Sequence, residues 1–191
     1  DYREASLNKR RIKHRDIMPL IDSLTSDTRF TIQKVGESIE GRDIKLISIG
    51  EGDINIFLWS QMHGDDPSAT LASFDIFNFL MADEFQAEKD TILSKLKLHF
   101  IPMLNPDGAE VFERRNALGV DLNRDAQRLS TPEAQLLKRV RDDLDADWGF
   151  NLHDQSRFYG AGYPTEDMAT LSFLAPAFDF PKTVNNVRER A

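Results

Sequence analysis

The chain has 191 residues, of which 40% are apolar and 29% charged, a balance that suits one globular domain with a hydrophobic core. A formal net charge of −8 argues against a protein that binds the phosphate backbone of nucleic acids, and the absence of cysteine excludes disulfides and thiolate chemistry. No apolar run approaches the roughly eighteen residues that a membrane-spanning helix needs, and the basic stretch Lys9–Arg15 does not resemble a signal peptide, so we expect a soluble protein.

The first part of the chain predicts a helix, a hairpin and a buried strand. Ile12–Leu24 carries apolar residues at helical spacing. Phe30–Val35 and Ile44–Ile49 alternate apolar with polar residues on either side of the turn-rich Gly36–Arg42, which predicts two half-buried strands. Ile54–Trp59 is almost continuously apolar, as is typical of a central strand buried on both faces.

A long helix and a further strand follow. Ser68–Asp83 is predicted to be helical, with Pro67 suited to its first turn. Leu96–Leu104 is predicted to be a strand, closed by the four-residue turn Asn105–Gly108. The stripe that the helix is expected to bury consists of Ala69, Ala72, Ile76, Phe77 and Leu80.

The remaining elements complete an alternating pattern. Thr131–Leu144 is predicted to be a helix, with Thr131 as its cap, and Trp148–His153 a short strand. Strands alternating with helices indicate an α/β fold with helices on both faces of a central sheet, and the early hairpin makes that sheet mixed. We expect residues 1–28 to be a helical lead-in to a single domain over residues 29–191.

Polar side chains follow three of the predicted strands. They lie in His63–Asp66, in Asn105–Gly108 and in His153–Gln155, and such strand ends are where functional groups gather in open α/β sheets. Two histidines and a carboxylate are typical of a catalytic zinc site with one open position, although ligand type alone does not separate zinc from cobalt. In the structural alternative, Asp65 or Asp66 only caps the following helix.

These motifs, in this order, resemble those of the zinc carboxypeptidase (M14) family, over Glu37 to about Tyr159. That family has a His-x-x-Glu metal motif after a central strand, an Asn-Pro-Asp-Gly turn, an Arg-x-Asn-x-x-Gly-Val-Asp-Leu-Asn-Arg segment and a histidine at a later strand end. The matching residues are His63, Asp66, Asn105–Gly108, Arg114, Asn116, Gly119–Arg124 and His153.

The resemblance implies a zinc-dependent hydrolase and a role for each matching residue. One Zn²⁺ would be held by His63, Asp66 and His153, with water in the fourth position. Arg114 would stabilise the oxyanion that develops on the scissile carbonyl, a contribution of about 3 kcal/mol in enzymes of this kind.

The same resemblance implies an exopeptidase. Asn123 and Arg124 would bind the C-terminal carboxylate of a peptide substrate, Arg124 through two parallel hydrogen bonds. Asp121 would accept a hydrogen bond from the outer nitrogen of a ligand histidine, His63 in the first instance, and so fix its tautomer.

Several neighbouring residues offer alternatives. Arg115 could take the role of Arg114, and Asp65 could replace Asp66 as a ligand. Asp107, in a tight turn, is expected to be structural, as is His99, which matches no motif. Asp154 could support the metal site or be solvated.

The sequence departs from the family pattern in two places. Asp66 stands where the family has glutamate, so the shorter side chain must approach the metal differently. The family's general base is a glutamate on a late strand, and only Glu166 and Glu189 follow His153, neither with apolar strand flanks. Since the polar stretch Thr183–Ala191 resembles the opening of a helix, we expect a truncated chain with an incomplete C-terminal side, which would catalyse poorly without its base.

Three functions remain open on this basis. The first is a metallocarboxypeptidase that hydrolyses C-terminal residues from peptides. The second is a related zinc amidohydrolase that deacylates small acylated amino acids. The third is a binding domain that keeps the scaffold without catalysis, for which Asp66 and the absent glutamate are the grounds.

Overall fold

The computed structural model of the chain describes residues 1–155. The helices are α1 (His14–Ser23), α2 (Ser68–Met81), α3 (Gln86–Leu93), α4 (Pro106–Val111), α5 (Leu122–Asp125) and α6 (Pro132–Leu144), and a 3₁₀ turn, Leu24–Ser26, follows α1. The strands are β1 (Thr31–Glu37), β2 (Asp43–Ile49), β3 (Ile54–Trp59), β4 (Leu96–Ile101) and β5 (Trp148–Asn151). The predicted hairpin, the helix that begins at Pro132 and the short late strand are confirmed.

The strands form one mixed sheet in the order β1-β2-β4-β3-β5. β1 and β2 are an antiparallel hairpin, and β2 runs antiparallel to β4. β3 lies between β4 and β5 and is parallel to both. The carboxyl ends of these three parallel strands therefore meet at one edge of the sheet, where the polar loops of the predicted site begin.

Helices cover both faces of this sheet, which confirms the predicted α/β architecture. On β2, Ile47 and Ile49 belong to a core cluster that also contains buried residues of α1 and α2. Ile44 and Leu46, which point to the opposite face because side chains alternate along a strand, pack in a second cluster with residues of α6.

The N-terminal segment shares the first of these cores. Ile12, Ile17 and Ile21 are at most 2% exposed and belong to the same cluster as Phe77 of α2. Burial of an aliphatic side chain of this size stabilises a fold by about 1.5–3 kcal/mol, so these residues hold the segment firmly against the sheet.

The face that α2 buries differs from the prediction. Ala72 and Ile76 are exposed, and Ile76 keeps 40% of its accessible surface. The prediction counted apolar side chains only, whereas two hydroxyl residues can be buried because each donates a hydrogen bond: Thr70 to Oε1 of Gln61 at 2.8 Å and Ser73 to the carbonyl of Ala69 at 2.8 Å. The buried residues of α2 are Thr70, Ser73, Phe74, Phe77 and Leu80.

Three other predictions are corrected. β3 is not buried on both faces: Phe57 is its one buried residue, because its outer neighbour within residues 1–155 is the short, exposed β5. β4 ends at Ile101, since Pro102 has no N–H to donate to the sheet. Asn105–Gly108 is not an isolated turn but the start of α4, and α3 was not predicted.

None of the helices between residues 1 and 155 is long and apolar enough to cross a bilayer. The expected helix opening at Thr183–Ala191, and Glu166 and Glu189, lie outside the described residues. The helix α6 begins as predicted, with the hydroxyl of Thr131 accepting a hydrogen bond from the N–H of Ala134 at 3.3 Å.

Candidate metal centre

The loop after β3 carries the first two candidate ligands and is tightly held. Gln61 adopts a left-handed backbone conformation (φ 47°), which costs free energy for a residue with a side chain. Its buried amide offsets that cost, because it donates to the carbonyl of Gly64 at 3.0 Å and accepts from Thr70 at 2.8 Å. The chain is thereby turned so that His63 faces the edge of the sheet.

Gly64 allows this loop to pack against the start of α4. A Cβ at Gly64 would lie 2.0 Å from the carbonyl carbon of Gly108, too close for any side chain. Asn105 joins the two segments: its amide donates to the carbonyl of Met62 at 3.3 Å and to that of Arg114 at 3.4 Å, and accepts from the N–H of Gly108 at 2.9 Å. One buried amide thus fixes three parts of the site.

His63, Asp66 and His153, which we call the ligand trio, converge at the carboxyl edge of the sheet. Nδ1 of His63 lies 2.8 Å from Oδ2 of Asp66, and Nδ1 of His153 lies 3.0 Å from the same oxygen. The two imidazole rings are stacked with their centroids 4.7 Å apart. His63 and His153 therefore present the same ring nitrogen to one carboxylate, although 90 residues separate them in the chain.

The electrostatics of the trio favour an ionised carboxylate. Burial by itself would raise the pKa of Asp66, but the hydrogen bonds from His153 and His63 outweigh burial and hold that pKa well below its usual range. Asp154, by contrast, has a raised pKa because it is partly buried, with the nearby charge of Asp66 adding to the effect. Asp66 is thus the anionic member of the candidate site at neutral pH.

The donor set fits a zinc ion. The three ligand atoms lie within 4.8 Å of one another, and His63, Asp66 and His153 form the one such group found among the described residues. Ligands at 2.0–2.2 Å from a tetrahedral zinc are separated by roughly 3.4 Å, so a group of donor atoms on this scale can surround one ion once the side chains adjust. Two imidazoles and one carboxylate also leave a fourth position open.

Asp121 lies behind the trio and contacts three other parts of the site. Its Oδ1 is 3.2 Å from Nε2 of His63 and accepts the N–H of Asn123 at 3.0 Å, which caps α5. Its Oδ2 accepts from Nε and Nη2 of Arg114, each at 3.0 Å. Burial opposes ionisation here, but the bonds from Arg114 outweigh it and lower the pKa of Asp121.

The two adjacent arginines point in different directions. Nη1 of Arg114 lies 3.1 Å from Nδ1 of His63, so this guanidinium borders the ligand trio. Nη1 of Arg115 instead donates to the carbonyl of Gly119 at 3.0 Å and closes a surface loop. Of the two alternatives that the sequence leaves open, the geometry favours Arg114.

Asn123 and Arg124 lie side by side in α5, directly after Asp121. Asn123 is half-buried and Arg124 exposed, and the guanidinium of Arg124 has no partner within residues 1–155. An exposed, permanently charged fork at this position can bind a carboxylate through two hydrogen bonds.

The remaining candidates lie in structural positions. Asp107 is buried and accepts from Ser38 at 2.7 Å and Arg42 at 2.6 Å, so it holds the β1–β2 turn. Asp154 caps α2 by accepting the N–H of Ser68 at 2.8 Å. Asp65 contributes no atom to the metal group.

His99 lies inside the sheet. Its Nδ1 is 2.7 Å from the hydroxyl of Ser48, and its Nε2 is 3.2 Å from Oδ1 of Asn55. Burial lowers its pKa to about 4, so the ring is neutral at neutral pH. Both ring nitrogens have partners in neighbouring strands, in keeping with the structural role expected from the sequence.

Three buried polar residues around the site could not be assigned a role from the sequence. The motifs contain Asn105 and Asn116 without giving them a role, and Glu133 lies within the predicted helix Thr131–Leu144. All three are buried polar side chains, with at most 5% of their surface exposed. Motif order identifies which residues recur, but the contacts of a buried amide or carboxylate become visible only in three dimensions.

Comparison with known proteins adds independent evidence on the family that this chain resembles. The family model described as zinc carboxypeptidase matches residues 18–156. An uncharacterised protein of Zymomonas mobilis is 27% identical over 149 residues, 74% of this chain and 37% of that protein. Carboxypeptidase SOL1 of Arabidopsis thaliana is 31% identical over 102 residues, 49% of this chain and 21% of that protein.

Solved structures agree on the fold. The metallo-carboxypeptidase of Pseudomonas aeruginosa, in complex with (2-guanidinoethylmercapto)succinic acid, superposes with a TM-score of 0.67 at 24% identity, over 74% of this chain and 39% of that one. The matched part of the chain therefore spans well under half the length of these relatives.

Proposed function

The chain belongs to the zinc carboxypeptidase family, and from this premise we propose that it acts as a zinc-dependent metallocarboxypeptidase, which removes C-terminal residues from peptides by hydrolysis. The observation that carries the proposal is the convergence of His63 and His153, each through Nδ1, on one carboxylate oxygen of Asp66. Three ligands with one open position are the arrangement of catalytic zinc sites.

The ligand trio would hold the metal. Zinc bound there would supply a Lewis acid and a water of lowered pKa. Asp121 would accept the Nε2 proton of His63, so that Nδ1 keeps its lone pair for the ion. Aspartate in place of the family's glutamate fits this role, because its Oδ2 already contacts both imidazoles.

Arg114 would stabilise the transition state. Its guanidinium borders His63 and is oriented by two bonds to Asp121, so little reorganisation is needed when negative charge develops on the scissile carbonyl oxygen. A donor fixed in advance is worth more than a mobile one, since its orientation is established before the reaction.

Asn123 and Arg124 would bind the substrate's terminal carboxylate and so restrict the enzyme to chain ends. Both follow Asp121 in one helical turn, which links the carboxylate site to the ligand trio by a few bonds. The ligand of the Pseudomonas relative is a succinic acid derivative, and a dicarboxylate suits a site that contains the positive charges of Arg114 and Arg124. Within residues 1–155 no glutamate bonds to the ligand trio, and we assign no general base.

The test uses the full-length protein, loaded with zinc, and three substrate sets: peptides with a free C-terminus, the same peptides amidated, and N-acyl amino acids. We expect release of the terminal residue from the free peptides alone, and loss of that activity in His63→Ala. Hydrolysis of the N-acyl amino acids without the peptides would instead favour a deacylase. Tight zinc binding without any turnover would contradict both and leave a binding domain.

A further inference from the structure

Glu133 is a fully buried carboxylate that has no role in the sequence motifs or in the metal and substrate contacts described above. It lies in the first turn of α6 and is 0% exposed. Its Oε1 accepts the N–H of Ile39 at 3.2 Å, and its Oε2 accepts from the side-chain amide of Asn116 at 3.3 Å. Each oxygen therefore has a neutral donor from a different loop.

Asn116 uses the rest of its amide to close the loop between Arg114 and Asp121. Its Oδ1 accepts the N–H of Leu118 at 3.1 Å and that of Val120 at 3.0 Å. Its backbone N–H donates to the carbonyl of Val120 at 3.0 Å. Because Oδ1 of Asn116 accepts these loop N–H groups, its Nδ2 must face Glu133. The orientation of each side chain therefore depends on the other.

This loop has the two residues that contact His63 at its ends. Arg114 precedes Asn116 by two residues, and Asp121 directly follows Val120. Arg114 lies 3.1 Å from Nδ1 of His63 and Asp121 lies 3.2 Å from Nε2. A change in the orientation of the Asn116 amide would therefore alter the contacts of both ring nitrogens of His63, a candidate metal ligand.

Burying a carboxylate costs free energy, so a carboxylate is an unfavourable choice for holding a loop unless both of its acceptor oxygens are needed. No basic side chain of residues 1–155 forms an ion pair with Glu133. Burial raises its pKa, and the charge of Asp107 adds to that effect, so ionisation of Glu133 opposes folding. Such a group is better explained by the geometry it imposes than by the stability it contributes.

We propose that Glu133 is a positioning residue: through Asn116 it holds the loop of residues 116–120 so that Arg114 and Asp121 stay against His63. The inference rests on the proposed hydrolase function for its catalytic consequence. Its structural part, the order of the loop, stands independently of any activity.

The substitution Glu133→Gln isolates this role with almost no change in size. The new amide offers one acceptor and one donor, so one of the two N–H groups that faced the carboxylate now meets another N–H. We expect the amides of Leu118 and Val120 to exchange their hydrogens at least about tenfold faster, because opening of the loop becomes easier. We also expect kcat to fall about 10–100-fold, with KM changed less than about threefold, since Arg114 acts on the transition state.

The double variant Glu133→Gln with Asn116→Asp reverses the polarity of the pair. One oxygen of the new carboxylate can accept the two loop N–H groups while the other accepts from the new amide, whose own oxygen accepts the N–H of Ile39. We expect slow exchange of the loop amides and most of the kcat to return. Failure of a folded double variant to restore slow exchange would overturn the inference.

Leu136→Ala is the matched control, because it removes a buried apolar side chain from the same helix and breaks no hydrogen bond to the loop. It should lower global stability while the exchange of Leu118 and Val120 changes no more than that of other protected amides. Equal and selective loosening of the loop by Leu136→Ala, or unchanged exchange in Glu133→Gln, would refute the proposal. If the unaltered protein hydrolyses nothing, the proposed function fails, while the exchange measurements still decide the role of Glu133.

Discussion

Oδ1 of Asp121 lies 3.2 Å from Nε2 of His63, on the side of the ring opposite to the nitrogen that faces Asp66. The same carboxylate orients Arg114 and caps the turn that carries Asn123 and Arg124. The candidate metal site, the candidate oxyanion donor and the candidate carboxylate site therefore share one anchor. A displacement of the Asp121 carboxylate would therefore disturb all three candidate sites.

Asp121→Asn should weaken zinc binding about 10–100-fold, the usual effect of removing the partner of a metal-bound histidine. The amide can present its N–H₂ to Nε2 and favour the wrong tautomer of His63. Competition with a chromogenic chelator measures the affinity. Asp142→Asn, on an exposed carboxylate of α6, is the control and should leave zinc affinity unchanged; equal affinities in all three proteins would count against the role of Asp121.

Arg114→Ala should lower kcat about 100–1,000-fold with a small change in KM, the effect of losing one preorganised oxyanion donor. Arg115→Ala is the control, because it removes the same positive charge one residue away. It breaks only the hydrogen bond from Arg115 to the carbonyl of Gly119, so the kcat of this variant should stay within about threefold of the parent. Steady-state kinetics on a peptide with a free C-terminus compare the two. The reverse ranking would assign the catalytic role to Arg115.

The convergence of His63, Asp66 and His153 could be predicted because each residue follows a strand that the sequence itself makes recognisable. Ile54–Trp59 and Trp148–Asn151 are paired in parallel register, so the loops after them must meet. The order of motifs then identified Arg114 and Arg124 as residues of interest. The clustering of polar side chains at strand ends can thus be predicted from local pattern and motif order alone.

The supporting contacts could not be predicted in this way. The bond between Asn116 and Glu133 joins a surface loop to a helix opening, and a glutamate in a first helical turn ordinarily needs no partner beyond the helix dipole. The buried face of α2 was misjudged for a related reason, since the burial of Thr70 depends on an acceptor, Oε1 of Gln61, contributed by another loop. Polar burial depends on where partners lie in space.

Arg124→Lys should raise KM about 10–100-fold for peptides with a free C-terminus, because a lysine cannot form the two parallel bonds that a guanidinium makes with a carboxylate. For the same peptides with an amidated C-terminus, the slow residual hydrolysis should be unaffected. The comparison uses kcat/KM for both substrate forms. A loss that is equal for both forms would show that Arg124 does not read the terminal carboxylate.

The buried ring of His99 should make the protein less stable in mild acid. Burial, assisted by the charge of Lys97, lowers its folded-state pKa to about 4, while the unfolded chain titrates at its ordinary value near 6.5. Between these values the unfolded state binds a proton that the folded state does not, so stability is full above about pH 6.5 and falls as the pH drops toward about 4. The loss attributable to this ring should be about 2–3 kcal/mol.

Urea unfolding of metal-free protein across that pH range measures the effect as a difference between the parent and His99→Gln. The replacement keeps a donor for Oδ1 of Asn55 but does not titrate, so acid-induced changes at other groups cancel in the difference. The parent's advantage over His99→Gln should shrink as the pH falls from about 6.5 to 4 and stay constant above pH 7. A difference that is flat across the whole range would mean that the ring has the same pKa in the folded and unfolded states, which the burial of the ring inside the sheet opposes.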